Sequence, residues 1–232
     1  MSVEPELSIG VRIGAEFAGT AFLLAAIVGS GEMAQALTGD VGLQLLQNAI
    51  AVGAALAALI VTLGPISGAH FNPVVSVANV LLGRLDRRTA ASFVAAQISG
   101  AIVGVAGANA MFGRNVIELS STDRGDARLV GAEVVATFGL LAVIFIADHF
   151  HPLPVVASTV AGYVTAAFAF TASTCFANPA VTIGRTLTDS FAGIDPGSAP
   201  AFIAAQFAVV PVAVAAVRPI LRPQRRLTDL ST

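Results

Sequence analysis

Two short stretches hold the residues best placed to do chemistry, and each echoes the other. The first runs Ser67-Gly68-Ala69-His70-Phe71-Asn72-Pro73-Val74, the second Ser173-Thr174-Cys175-Phe176-Ala177-Asn178-Pro179-Ala180. Asn is a preferred N-cap, and Pro at the first helical position gives up only a donor that would be orphaned anyway. Each Asn-Pro therefore reads as the abrupt start of a short helix. Such a helix carries roughly half a positive charge at its N-terminus, so two ends converging on Asn72 and Asn178 repel cations and offer amide donors to a passing oxygen. The approaches Gly68, Ala69, His70 and Phe71, and Ser173, Thr174, Cys175 and Phe176, lead into new helix starts and are expected to be non-helical. Their carbonyls need partners and can replace a solute's hydration shell.

Two carboxylates, Glu16 and Glu133, sit inside apolar runs, where a charge is costly and usually functional. They occupy matching positions in Ala15-Glu16-Phe17-Ala18-Gly19-Thr20 and Ala132-Glu133-Val134-Val135-Ala136-Thr137. One reading makes them a proton relay. The other makes them structural acceptors for backbone donors of the two approaches, and the matched positions favour it. Cys175 is the single thiol, so an intrachain disulfide is excluded. His70 reads as a structural donor or a pore liner, and His149 and His151 as turn residues; two histidines alone are a weak metal signal. No nucleophile–base pair points to an enzyme, and no metal or cofactor is expected.

The elements that must position these residues are set by composition. The 232 residues are 56% hydrophobic and 11% charged, with mean hydropathy +0.83, whereas soluble domains carry about 25% charged residues. A net charge of −2 gives no reason to expect nucleic acid as a partner. Six apolar segments, near 11–30, 42–63, 89–111, 129–148, 153–173 and 199–219, each approach the ~20 residues a helix needs to cross a bilayer. The first reads as a retained membrane helix. The Asn-Pro elements, near 72–82 and 178–188, are too short to span and fit re-entrant half-helices, tolerated at membrane depth only inside protein or along a wet cavity.

The fold class is therefore an all-α membrane protein of six transmembrane helices plus two re-entrant half-helices. It forms one transmembrane domain over 1–232, with repeats near 11–111 and 129–219 and a basic tail at 220–232. Three spans per half is an odd number, so the repeats are inverted and the half-helices enter from opposite faces. All twelve basic residues are arginine. Eight (Arg12, Arg84, Arg87, Arg88, Arg218, Arg222, Arg225, Arg226) fall on the side of the termini. Four (Arg114, Arg124, Arg128, Arg185) fall on the other, which favours cytoplasmic termini. Small residues at Gly10/Gly14/Ala18 and Gly100/Gly104/Ala108 predict close helix contacts.

The doubled motif resembles the Asn-Pro-Ala pair of the aquaporin and aquaglyceroporin (major intrinsic protein) family, with Asn72-Pro73-Val74 as the first copy and Asn178-Pro179-Ala180 as the second. The resemblance covers about Arg12 to Pro219. It implies that Asn72 and Asn178 meet in mid-pore and help block proton conduction. It also implies a carbonyl ladder in the approaches, scaffold roles for Glu16 and Glu133, and a homotetramer in the cell (inner) membrane. By spacing from the two Asn residues, the constriction falls on Val52, Ala166, Cys175 and Val181. Most members have arginine where this chain has Val181, and glycerol facilitators follow it with aspartate, here Thr182. Arg185 lies one turn beyond and, being toward the mouth, is expected to be exposed.

The expected filter is thus wide, apolar and uncharged. This pattern resembles the channels linked to bacterial arsenic resistance and implies uncharged arsenite- or antimonite-type hydroxides, glycerol or urea, with water, as solutes. The alternatives are a water-selective channel and, from another class, a proton-coupled carrier using Glu16 and Glu133.

Overall fold

Eight helices account for the described residues, 7–221, of this computed structural model; most of the basic tail, including Arg222, Arg225 and Arg226, lies outside them. They are α1 (Ile9–Leu37), α2 (Val41–Ser67), α3 (Pro73–Leu81), α4 (Arg87–Met111), α5 (Ala127–Phe150), α6 (Leu153–Phe170), α7 (Pro179–Arg185) and α8 (Ala199–Val217). Six are long and apolar enough to cross a membrane; α3 and α7 are not. Polar caps start most of them. Asp40 accepts from the Leu43 amide, Asp86 from those of Arg88 and Thr89, and Asp126 from that of Arg128. Each such cap satisfies donors that a helix start leaves orphaned.

Packing pairs the elements by halves. Helix α1 lies against α2 and α4, α5 against α6 and α8, and α2 against α6 across the molecule. The short helices cross over, each touching both α4 and α8. Apolar side chains such as Phe22, Leu46, Met111 and Phe170 stay exposed on the outer faces of the spans. That exposure suits lipid, which gives helices little hydrophobic drive to associate and leaves close packing to hold them. A Cβ on Gly100 would fall 2.4 Å from the Phe17 carbonyl oxygen, and one on Gly104 2.2 Å from that of Ala21. The α1–α4 contact therefore requires both glycines. Gly10 and Gly14 do not match their expectation: nothing lies within 4 Å of either, because the contact uses the α1 face carrying Phe17 and Ala21.

The two ends of the bundle differ. At the end holding both described termini, the Arg12 guanidinium stacks over Phe93 and Arg218 donates to the Leu81 carbonyl. Arg84 pairs with Asp148 at 3.1 Å. At the other end, residues 112–126 and 186–198 are tied together. The Glu118, Ser120 and Asp195 amides donate to the Leu187, Thr186 and Thr122 carbonyls. Arg114 joins this knot to α1 through Glu32 at 2.7 Å. Asp189 accepts from both the amide and hydroxyl of Ser121, bonds that hold its carboxyl below the usual range. Arg128 pulls Asp126 down to about 2.

Candidate functional site

The α3 and α7 N-termini meet head to head. The Asn72 side-chain oxygen accepts from the Val74 amide, while that of Asn178 accepts from Ala180 and Val181. Each Asn nitrogen then reaches across: Asn72 Nδ2 donates to the Ala177 carbonyl and Asn178 Nδ2 to the Phe71 carbonyl, both at 2.8 Å. An amide nitrogen has two hydrogens, so one per Asn remains for something else. Pro73, Val74, Pro179 and Ala180 pack behind this junction as the first turns of the two helices.

The approaches are held in unusual backbone. Ala69, Phe71, Thr174, Cys175 and Ala177 all have φ between +46° and +62°, a region costing a residue with a side chain roughly 1–2 kcal/mol. The two buried acids compensate. Glu16, fully buried, accepts from the His70 amide (2.9 Å), the Phe71 amide (2.7 Å), Ser67 Oγ (2.6 Å) and Gln97 Nε2 (2.8 Å). Glu133, also fully buried, accepts from the Phe176 amide (2.9 Å), the Ala177 amide (2.7 Å) and Gln206 Nε2 (2.6 Å). Both oxygens of each carboxylate face only donors, the arrangement an ionised carboxylate needs. His70 is fixed by Ser76 Oγ at 3.0 Å from Nδ1.

A cavity of about 300 Å³ runs from Arg84 and Asp148 at one end, past both Asn residues, to Arg185 at the other. Apolar side chains line one side at helical spacing: Leu23 and Ile27 of α1, Val52, Leu56 and Ile60 of α2, Leu140 and Ile144 of α5, and Val156, Val160, Val164 and Phe168 of α6. The approaches Gly68 to Phe71 and Cys175 to Ala177 line the other. Ser173 and Thr174 are not among the lining residues. The chain turns after Phe170, with the Thr174 amide bonded to the Thr171 carbonyl and the Cys175 amide to Thr171 Oγ1, so on this side the lining begins at Cys175.

Of the four constriction positions expected from spacing, Val52, Cys175 and Val181 line the cavity and Ala166 does not. Ala166 is exposed on the outer face of α6. The reason is helical phase. Val164 and Phe168, four residues apart, share the cavity face, and a residue midway between them points about 200° away. Counting back from Asn178 crosses the Thr171–Ala177 turn, where residue number no longer tracks position. Val164 and Phe168 are thus the cavity-facing side chains of α6 on either side of Ala166 that sequence spacing missed. The repeat of lining positions at Val156, Val160, Val164 and Phe168, paralleling Val52, Leu56 and Ile60, is the signal that could have found them.

Arg185 also departs from expectation. It is 3% exposed and lines the cavity, so the end away from the described termini is not free of charge. Its Nε donates to the Ala192 carbonyl, and its guanidinium carbon lies 3.5 Å from the Phe176 ring centre. Arg124 reaches the same ring at 5.2 Å and donates Nε to the neighbouring Gly193 carbonyl at 2.9 Å. Among the described residues no group of three or more His, Cys, Asp or Glu side chains is placed to hold a metal. His149 and His151 are exposed at the α5–α6 turn.

Residues 7–152 match the family described as major intrinsic protein. The aquaglyceroporin AqpS of Rhizobium meliloti (strain 1021) is 47% identical over 220 residues, 95% of this chain and 94% of the relative. Human aquaporin-5 is 38% identical over 108 residues, 44% of this chain and 40% of the relative. Among solved structures, the aquaglyceroporin from Plasmodium falciparum superposes with a TM-score of 0.74, at 20% identity, covering 92% of this chain and 99% of that one. With six membrane-crossing helices, two half-helices meeting at paired Asn-Pro starts and a relative matched along nearly its whole length, the chain is a multi-pass membrane protein belonging to the major intrinsic protein family.

Proposed function

We propose that the chain is a passive channel for small uncharged solutes, glycerol and water among them, with no catalytic step. The observation that carries this reading is the end-to-end cavity with one apolar wall, one wall of backbone and two spare amide donors midway. A hydroxyl-bearing solute can keep hydrogen bonds along one side while its carbon skeleton slides along the other. The name of the Rhizobium meliloti relative as an aquaglyceroporin supports glycerol. Urea and the uncharged arsenite- and antimonite-type hydroxides are of similar size and fit the same two walls.

The filter in this reading comprises Val52, Phe168, Cys175 and Val181, with Arg185 one turn outward. The small side chains at Cys175 and Val181 favour solutes wider than water over strict water selectivity. A proton-coupled carrier is less well supported, because every oxygen of Glu16 and Glu133 is already engaged by fixed donors. We further propose a single channel domain built of two inverted repeats and assembled as a homotetramer. It sits in the cell membrane with cytoplasmic termini, consistent with Arg12, Arg84, Arg87, Arg88 and Arg218 at that end.

Proteoliposome swelling against water, glycerol and urea gradients tests the proposal. Protein-dependent glycerol flux is expected, and its absence beside rapid water flux would favour the water-selective reading. Val181→Arg adds a rigid, always-charged fork to a wall position only 3% exposed. Glycerol flux should fall at least about tenfold while water flux falls less, a difference of roughly 1.4 kcal/mol in barrier. An equal loss of both would place Val181 in the folding of the mouth rather than in selection.

A further inference from the structure

Arg185 lines one end of the cavity and Arg124 packs beside it on the same ring, and among the described residues neither forms an ion pair. Arg185 and Arg124 stack on one ring, Phe176, and each spends Nε on adjacent carbonyls, Ala192 and Gly193. No carboxylate among the described residues lies within 4.0 Å of either guanidinium; the ion pairs formed are Arg84–Asp148, Arg114–Glu32, Arg114–Glu118 and Arg128–Asp126. The nearby acids already accept other hydrogen bonds. Asp123 accepts from Ser198 Oγ and the Gly125 amide, Asp195 from the Gly197 amide, and Glu133 from Phe176, Ala177 and Gln206. A guanidinium carries five N–H donors, and no protein acceptor among the described residues engages the terminal nitrogens of Arg185.

A buried charge without a partner is costly. An aromatic face offsets about 2 kcal/mol of that when desolvated, and one carbonyl offsets part of the rest. Burial opposes the charged form of Arg124, and the charge of Glu133 offsets this only in part. The missing partner must be small, because Arg185 is only 3% exposed and the walls at Cys175 and Val181 are apolar. It must also present two oxygens to a planar fork, the geometry in which arginine binds carboxylate and other oxyanions most strongly.

Resting on the channel reading for its effect on flux, we propose that the outer vestibule is a binding site for a small monovalent oxyanion. The anion is held by the terminal nitrogens of Arg185 and by the charge of Arg124, and while bound it obstructs the passage of neutral solutes. The apolar side chains at Cys175 and Val181 keep the anion at the mouth. The channel is then throttled from this side by small carboxylates, reversibly and without covalent change.

Formate at pH 7.5 is the probe, with a bulky sulfonate at equal ionic strength as the control. Binding is read without any transport, as the melting temperature of the detergent-solubilised protein. A tenfold excess over Kd should raise it by about 3–5 °C, and the sulfonate should not. In proteoliposomes the same formate should lower glycerol flux saturably, expressed for each protein as the ratio of flux with and without formate. Arg185→Gln should weaken formate binding by about tenfold or more, as loss of charge-assisted bonds implies; Arg124→Gln should weaken it several-fold.

The wild-type titration decides even if Arg185→Gln does not fold, since no formate-specific shift by ~100 mM overturns the site. An unchanged shift in either variant also overturns it. A formate shift without solute flux would mean the channel reading is wrong and the site stands. Flux that formate never slows, with the shift intact, would overturn the obstruction.

Discussion

Cys175 shows how a single residue acquires a role from its backbone. Its φ of 53° and the bond from its amide to Thr171 Oγ1 turn the side chain into the cavity wall, where it is 5% exposed and beside Val181. A free cysteine ordinarily packs as a small hydrophobe; this one also lines the cavity proposed as the path. Burial pushes the Cys175 thiol pKa up, but sulfur is a soft ligand and mercury displaces the thiol proton on binding. Mercuric chloride is therefore expected to slow glycerol flux in proteoliposomes, excess thiol to restore it, and Cys175→Ser to conduct while resisting block. Block of water is expected to be less complete than block of glycerol. Complete insensitivity of the unmodified protein would remove Cys175 from the path.

At the scale of elements, the bundle depends on backbone approach between α1 and α4. Gly104 faces the Ala21 carbonyl so closely that any Cβ meets backbone at 2.2 Å, and backbone cannot rotate aside as a side chain can. Gly104→Ala is expected to push α1 from α4 and lower stability by about 1–3 kcal/mol, the usual cost of overpacking, and Gly104→Leu by more. Gly14→Ala, where nothing lies within 4 Å, is the control and should leave stability nearly unchanged. Melting temperatures in detergent compare the three; similar losses at both positions would refute the close contact. The displacement matters for function because α1 carries Glu16, Leu23 and Ile27, hence one acid clamp and part of the apolar wall.

For the whole molecule, the decisive feature is the convergence of two short helices from opposite ends on one midpoint. At an effective dielectric of ~20, a cation about 4 Å from one half-charge meets roughly 2 kcal/mol of repulsion, and the two ends act together. The cross-bonds of Asn72 and Asn178 add a second obstacle. In the proposed channel the spare hydrogen of each amide would donate to a passing oxygen and interrupt the donor–acceptor chain a proton would follow. Arg185 adds positive charge at the outer mouth. Negligible proton conductance is therefore expected even though valine stands at the usual arginine position. A pH-sensitive dye in proteoliposomes under a valinomycin-clamped potential measures it. A protein-dependent proton leak would show that the midpoint does not exclude charge.

The sequence alone determined the spans, the half-helices and the paired acids, because these follow from local rules. Twenty apolar residues cross a bilayer, Asn-Pro starts a helix, and a carboxylate in an apolar run needs donors nearby. Elements legible in this way included α3, read near 72–82 and found at Pro73–Leu81. The short α7 ends at Arg185 rather than near 188, because its last turn gives way to the outer knot. Only the tertiary structure decided which side chains face the path. Ala166 was excluded and Phe168 admitted by helical phase beyond a turn that sequence spacing cannot cross. Gly100 and Gly104 were selected over Gly10 and Gly14 by which faces of α1 and α4 meet. Arg185 was drawn inward from its expected exposed place by the Phe176 ring and the Ala192 carbonyl, partners supplied by chain segments that no local pattern brings together.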